Sequence, residues 1–328
     1  MKLSEKQIAE ACGVSLTTVS RVLNHKGRIS QQTRERILNY VEQQEAKQYA
    51  QSFPKKMIGL IVPNVTNEYY STMVTAIENN FYEKDYDVLL YLTKKDIAKK
   101  RNAFDDLIYR HVSGIIYIGG PEKFYHYDDL QHIPLVSIEH SPLINHQSDC
   151  LIHIDHDKGG YIATEKLIQK GCQRILFLGN HGILNENKGR YSGYLRALKD
   201  YHLAFDQELI FKSPSQKLGI MESKNAIHYL LTKGITFDGI FATNDWRAYG
   251  VMAALKDLGI SIPEQIQVIG YDDITISRYT FPSLSTIHID YEGLALLASN
   301  NLHRLINHEI IDAWHSVPIT FVKRDSTK

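Results

Sequence analysis

Four polar residues beyond residue 57 stand where an apolar run ends or a turn begins. Glu139 follows LVSI, Arg190 opens RYSGY, Asn244 follows GIFAT, and Asp272 follows QVIGY. A carboxylate accepts from adjacent hydroxyls, a guanidinium donates in a fixed fork, and an amide does both. That donor and acceptor set suits a sugar. Tyr69, Tyr70, Trp246 and Phe281 add aromatic surface on which a ring face could rest. Each residue alone has a plainer reading, since an Asp after a strand often caps a helix and an arginine often closes a surface ion pair.

Other chemistry finds little support. Six histidines crowd between His126 and His156, and Cys150, His153 and His156 are spaced by three. In a strand, however, Cys150 and His153 point to opposite faces and cannot converge on a metal. Gly119-Gly120 and Gly159-Gly160 are turn glycines outside any G-x-G-x-x-G fingerprint. Neither a G-x-S-x-G elbow nor an H-E-x-x-H helix occurs. The expectation is a protein that is not an enzyme and holds no cofactor and no metal.

These candidates need elements to position them. Apolar runs at 57–62, 87–92, 114–119, 135–139, 150–155, 174–179, 239–243, 267–271 and 285–290 alternate with amphipathic stretches. Continuous apolar strands between helices predict parallel sheets covered on both faces. The halves echo each other. The run from Ile58 recurs from Ile175 at an offset of 117, and the run from Gly114 recurs from Gly239 at 125. Two similar doubly wound α/β subdomains follow, with ligands expected at the carboxyl ends of the strands, in a cleft between the halves.

The first 46 residues differ in kind. Ser4 and Gln7 form a capping box for a short helix carrying Ile8, Ala9 and Cys12, which Gly13 ends. Ser15 caps a second helix, Leu16–Asn24, whose Val19, Val22 and Leu23 face inward. Its other face presents Thr17, Ser20, Arg21 and Asn24. A third helix from Ser30 carries Ile37, Leu38 and Val41. This pattern reads as a three-helix helix-turn-helix head, whose second helix would enter the major groove of DNA, or as a small helical cap with a solvated polar face. Charge agrees: residues 1–56 hold ten Lys/Arg against five Glu, a net +5, and the remaining 27 basic and 32 acidic residues leave −5.

The string IAEACGVSLTTVSRVLNHKGRISQQTRERIL resembles the DNA-binding head of the lactose/galactose repressor (LacI/GalR) family, and the resemblance continues nearly to the C-terminus. It runs through IGLIVPNVTNEYY (58–70), KGRYSGYLRAL (188–198), FATNDWRAYG (241–250), VIGYDDI (268–274) and TFPSLSTIHI (280–289). It implies a body similar to periplasmic sugar-binding proteins. By the resemblance, Leu16, Thr17 and Arg21 read bases, while Ser15, Thr18, Ser20, Asn24 and His25 contact phosphates. It also makes Glu139, Arg190, Asn244 and Asp272 the effector set. The family's hinge signature is altered in EAKQYAQSFPKK, where Lys55 falls near the intercalating leucine position. The expectation is a shortened hinge touching phosphates through Lys47, Lys55 and Lys56, or else a plain solvated linker. Two further departures bear on the ligand: Ile289 stands where sugar binders often have Gln, and Pro214 lies where an aromatic is common.

The expected organisation is a head at 1–46 and a linker at 47–56. An N-subdomain follows at 57–158 and 289–317, and a C-subdomain at 159–288 and 318–328. The resemblance implies a repressor of carbohydrate genes, with some leaning to galactosides. It would act as a homodimer on a near-palindromic operator and be released by a small sugar. The alternatives are a cytoplasmic sugar-binding protein, or a regulator whose co-effector is a phosphosugar, a purine or a phosphoprotein. Three scattered cysteines, no apolar leader and no apolar run near 18 residues predict a cytoplasmic location without membrane contact.

Overall fold

The computed structural model describes residues 4–24, 26–27, 29–52, 56–94, 96–180, 189–213 and 219–328. The head contains α1 (Glu5–Cys12), α2 (Leu16–Leu23) and α3 (Gln31–Ser52). Ser4 caps α1 in the expected capping box, and Gly13 ends it in the left-handed region at φ 59°. A non-glycine residue would be strained there, so this glycine sets the turn. Ile8, Ala9, Cys12, Val19, Val22 and Ile37 form the core, with Leu23, Ile29, Tyr40 and Val41 packed at its edge. Burial of each fully enclosed Val or Ile contributes roughly 1.5–3 kcal/mol. Leu38, expected inside, is 38% exposed. The third helix also continues through 47–52, where a linker was expected.

The body adds twelve strands and seven helices among the described residues. First come β1 (Lys56–Val62), α4 (Glu68–Tyr82), β2 (Tyr86–Leu92), α5 (Ile97–Tyr109), β3 (Gly114–Ile118), β4 (Leu135–Ile138) and β5 (Cys150–Ile154). Then follow α6 (His156–Gln169), β6 (Ile175–Asn180), α7 (Arg190–Asp200), β7 (Ile210–Ser213), α8 (Ile220–Thr232), β8 (Gly239–Ala242), α9 (Asp245–Asp257) and β9 (Gln267–Asp272). The chain closes with β10 (Ser285–Ile289), α10 (Tyr291–Ile306), β11 (Trp314–Val317) and β12 (Ile319–Val322). Two six-stranded sheets result, ordered β11-β5-β4-β3-β1-β2 and β12-β10-β9-β8-β6-β7. The duplication read from the sequence is visible in register. Ile58 pairs with Gly114 in the first sheet, and Ile175 pairs with Gly239 in the second.

Strands β7, β11 and β12 were not expected. All three are four residues long. Trp314 on β11 is 57% exposed, so that strand lacks the continuous apolar run of the central ones. Strand β12 pairs antiparallel to β10 and closes one side of the second sheet.

The described chain divides into two compact units. One gathers Met1–Asn64, Val74–Leu151 and Ala298–Ala313; the other gathers Val65–Met73, Ile152–Leu297 and Trp314–Lys328. Residues 65–73, with Tyr69 and Tyr70, therefore pack with the second unit. In that unit α6 and α7 meet backbone to backbone. A Cβ on Gly160 would lie 2.1 Å from the Arg190 carbonyl oxygen, and one on Gly193 would lie 2.0 Å from that of Asp157. Only glycine permits that approach, which fixes where α7 begins and hence where Arg190 stands. Among the described residues no helix is long and apolar enough to cross a membrane.

Candidate functional site

The surface of α2 presents Ser15, Leu16, Thr17, Arg21 and Asn24, all exposed, with Thr18 and Ser20 half-buried. Leu16 is 52% exposed although leucine usually seeks a core, and in this position it is available to a thymine methyl. The Ser15 hydroxyl accepts from the Thr18 N–H at 3.2 Å and lies 2.8 Å from the Thr18 hydroxyl. Asn24 donates back to the Ser20 carbonyl at 2.8 Å. Both contacts tie polar side chains to their own helix and hold them in place. The aliphatic stem of Arg21 lies against Gly27, where a Cβ would approach its Cδ to 3.2 Å. His25 and Lys55 lie outside the described residues. Lys56 opens β1, and its ammonium sits 5.6 Å from the centroid of the Tyr86 ring.

The second unit assembles a charged and aromatic cluster at the carboxyl ends of its strands. Arg190, first residue of α7, lays its guanidinium 3.8 Å from the centroid of the Tyr271 ring and donates to the Thr243 carbonyl at 2.7 Å. Its Nη2 lies 3.7 Å from Oδ1 of Asp272, which also accepts from the Tyr291 hydroxyl at 3.0 Å. Burial first, then the Asp272 charge, push the Tyr291 hydroxyl well above the usual phenol value, so it remains a donor. Tyr69 meets Tyr291 edge to face at 4.9 Å and Tyr70 at 4.6 Å. His156 Nδ1 is 2.8 Å from the Tyr271 hydroxyl.

The two adjacent aspartates have different tasks. Asp273 is held by Arg324 and by His288 at 3.0 Å, which anchors the strand end. Asp272, at φ 108°, is turned toward Arg190 and Tyr291. Positive φ at a non-glycine residue is strain that the surrounding structure must sustain, and Asp273, at φ 52°, shares it. Glu139 shows the same feature, φ 66°, at the end of β4 in the first unit. Strand β4 neighbours β3 as β9 neighbours β8, so the two carboxylates occupy equivalent strand ends of the repeat.

Asn244 is the N-cap of α9, its oxygen accepting from the Arg247 N–H at 2.8 Å. That leaves its amide nitrogen to donate to a ligand. Trp246 stands two residues on, with its buried Nε1 unpartnered among the described residues. Phe281 is fully exposed and packs on nothing in the cluster. Sequence reasoning missed Tyr271, Tyr291 and His156, whose roles come from neighbours far along the chain. Tyr271 alone had a signal, being adjacent to Asp272 at a strand end. A cavity of 540 Å³ in the first unit, lined by residues including Arg101, Asp105 and Tyr125, involves none of the predicted residues. Among the described residues no group of three His, Cys, Asp or Glu could hold a metal.

Comparison with known proteins matches the head and the C-terminal half of the chain. Residues 6–45 match the family described as bacterial regulatory proteins, lacI family, and residues 164–327 match the periplasmic binding protein-like domain. The transcriptional repressor PurR of Glaesserella parasuis is 31% identical over 306 residues, covering 90% of this chain and 88% of that one. The chain belongs to the LacI family of bacterial regulatory proteins. Another LacI-family relative, the ribose operon repressor of Halalkalibacterium halodurans, is 29% identical over 334 residues, 98% of this chain and 96% of that one. A solved periplasmic binding protein/LacI regulator from Alkaliphilus metalliredigens, complexed with D-xylulofuranose, superposes with a TM-score of 0.68 at 31% identity. The match covers 83% of this chain and 99% of that one. As a LacI-family member this chain is a DNA-binding transcriptional repressor with a small-molecule-binding domain, and not an enzyme.

Proposed function

We propose that this repressor controls carbohydrate genes in the cytoplasm. It would bind a near-palindromic operator as a homodimer and release it when a small sugar, galactosides being one class, occupies the second-unit cluster. The observation that carries the reading is the grouping of Arg190, Asp272 and Tyr291 with Asn244 at the strand ends. These residues supply a carboxylate acceptor, a guanidinium fork and hydroxyl and amide donors beside the rings of Tyr69 and Tyr271. That composition suits vicinal hydroxyls over a ring face. Glu139 holds the equivalent strand end in the first unit. Sugar-related names among the similar proteins support the same class.

One head presents a single short recognition helix, so paired heads are needed for tight, specific operator binding. A ligand releases DNA only if it binds the two conformations of the repressor with different affinity, and the coupling in such systems is typically about 1–3 kcal/mol. The test is a thermal-shift screen of sugars on the full chain, followed by gel shifts with each hit. A sugar at about a hundredfold excess over its Kd should stabilise the fold by about 2.7 kcal/mol. Release of operator DNA by that sugar supports the reading; a screen in which purines bind and sugars do not overturns it.

A further inference from the structure

We infer that Arg247 is an oxyanion subsite, so that the effector carries a phosphate or carboxylate group in addition to its hydroxyls. The inference rests on the sugar reading above and narrows it to an anionic sugar.

Arg247 is the third residue of α9 and is only 2% exposed, the largest fully buried side chain among the described residues. Its Nε and Nη2 are buried, and no described residue offers either a hydrogen bond. A guanidinium carries five donors and stays charged, so proteins rarely enclose one without a partner. The carboxylates that act on it, Glu222 and Asp272, do so without reaching those atoms. Asp245, two residues earlier, is held by Ser277, Thr286 and the Ile274 N–H.

Besides the Glu222 and Asp272 charges, positive groups also lie near the guanidinium. It lies against Gly219, where a Cβ would come within 3.0 Å of its Nε and 3.1 Å of its Cζ. Gly219, at φ 88°, opens the thirteen-residue helix α8 without any side-chain cap. A helix start carries partial positive charge and favours an anion. Burial and the nearby Arg190 both disfavour the charged form of Arg247. Two guanidiniums and a helix start thus share one region of the second unit with the Glu222 and Asp272 carboxylates. A neutral sugar is served by Arg190, Asp272 and Asn244 and leaves Arg247 unpaired. A phosphate or carboxylate satisfies its fork in bidentate fashion.

The test uses the full chain, wild type and Arg247→Met, with galactose, galactose 6-phosphate and galactonate read by calorimetry, and operator binding read by gel shift. Wild type should bind one of the two anions at least about 30-fold more tightly than galactose, and the arm that binds identifies phosphate or carboxylate. Arg247→Met should lose about 100-fold in that affinity, the effect of cutting a desolvated charge pair, while galactose affinity stays within about threefold. Without ligand the variant should melt higher than wild type, because an unpaired buried charge is replaced by a side chain of similar volume. Equal binding of galactose and both anions, unchanged by Arg247→Met, overturns the inference and leaves the sugar reading standing. A variant that melts well below wild type without ligand also overturns it, by making Arg247 a packing residue. Failure of all three, with operator binding intact and a neutral sugar from the thermal-shift screen bound, removes the subsite alone; failure of every sugar in that screen removes the sugar reading as well.

Discussion

The exposed surface of α2 and the Arg190–Asp272–Tyr291 cluster, the proposed DNA and ligand sites, are both polar, yet they are built on different length scales. In the head, Ser15 reaches three residues to Thr18, and Asn24 reaches four back to Ser20. In the second unit, Arg190 reaches Thr243 across 53 positions, and His156 reaches Tyr271 across 115. The proposed DNA-reading surface is therefore a property of one capped helix lying on a small core. The cluster is a property of the sheet, because it exists only when the ends of β8 and β9 and the starts of α6, α7 and α10 come together. A local surface tolerates change elsewhere in the protein, whereas a non-local one depends on every element that positions it.

That contrast predicts separable failures. The largest should follow Val19→Asp, which places a carboxylate in a fully buried site of the head core. A loss above about 4 kcal/mol is expected for an unpaired buried charge, enough to unfold a small head. Operator binding should vanish in gel shifts while ligand still raises the melting temperature of the body; loss of both would show that the two regions fold as one. The mirror experiment is Arg190→Ala, which should weaken effector binding about 100-fold. Its operator affinity without ligand should stay within about twofold of wild type, and a release curve like that of wild type would move the site elsewhere.

Smaller effects sharpen the comparison. Arg21→Ala should cost about 1–3 kcal/mol at one operator position and relax specificity there. Loss that is equal on operator and random DNA would make Arg21 a phosphate contact. Asp245 offers a pH probe of the non-local region. Burial, then the nearby Asp272 charge, raise its carboxyl to about 7 despite hydrogen bonds from Ser277 and Thr286. The native state then holds a proton that the unfolded chain releases at its ordinary carboxylate value. Stability from this group is present at low pH and is lost as pH rises toward about 7. Relative to Asp245→Asn, wild type should lose about 1–2 kcal/mol between about pH 5 and about pH 7 in urea titrations. A constant difference would mean the carboxyl is already ionised at the lower pH. The smallest effect is expected at Lys56. With its ammonium over Tyr86 at the start of β1, Lys56→Ala should leave the salt slope of operator binding unchanged, whereas a phosphate contact would lower it by about one.

Much of this protein was legible without coordinates. The capping box at Ser4 and Gln7, the glycine turn at Gly13 and the i, i+3 pair Val19 and Val22 specify the head, because helix caps and helical periodicity are local signals. The apolar runs and their offsets specified the two sheets, since a strand buried on both faces is continuously apolar. The strand-end positions of Glu139, Asn244 and Asp272 were legible for the same reason. Edge strands β7, β11 and β12 were not, because half-exposed strands carry no such run.

Which of two neighbours performs a task was decided only in three dimensions. Asp272 was singled out in sequence, but only the fold shows that Arg324 and His288 claim Asp273 and that Asp272 stands beside Arg190. Tyr291 and His156 gained their places through partners 19 and 115 residues away. Arg247, an unremarked residue in FATNDWRAYG, became an enclosed guanidinium only when Gly219 closed against it. Periodicity fixes the face on which a residue lies, but partners brought together by chain crossovers fix its charge state and its task.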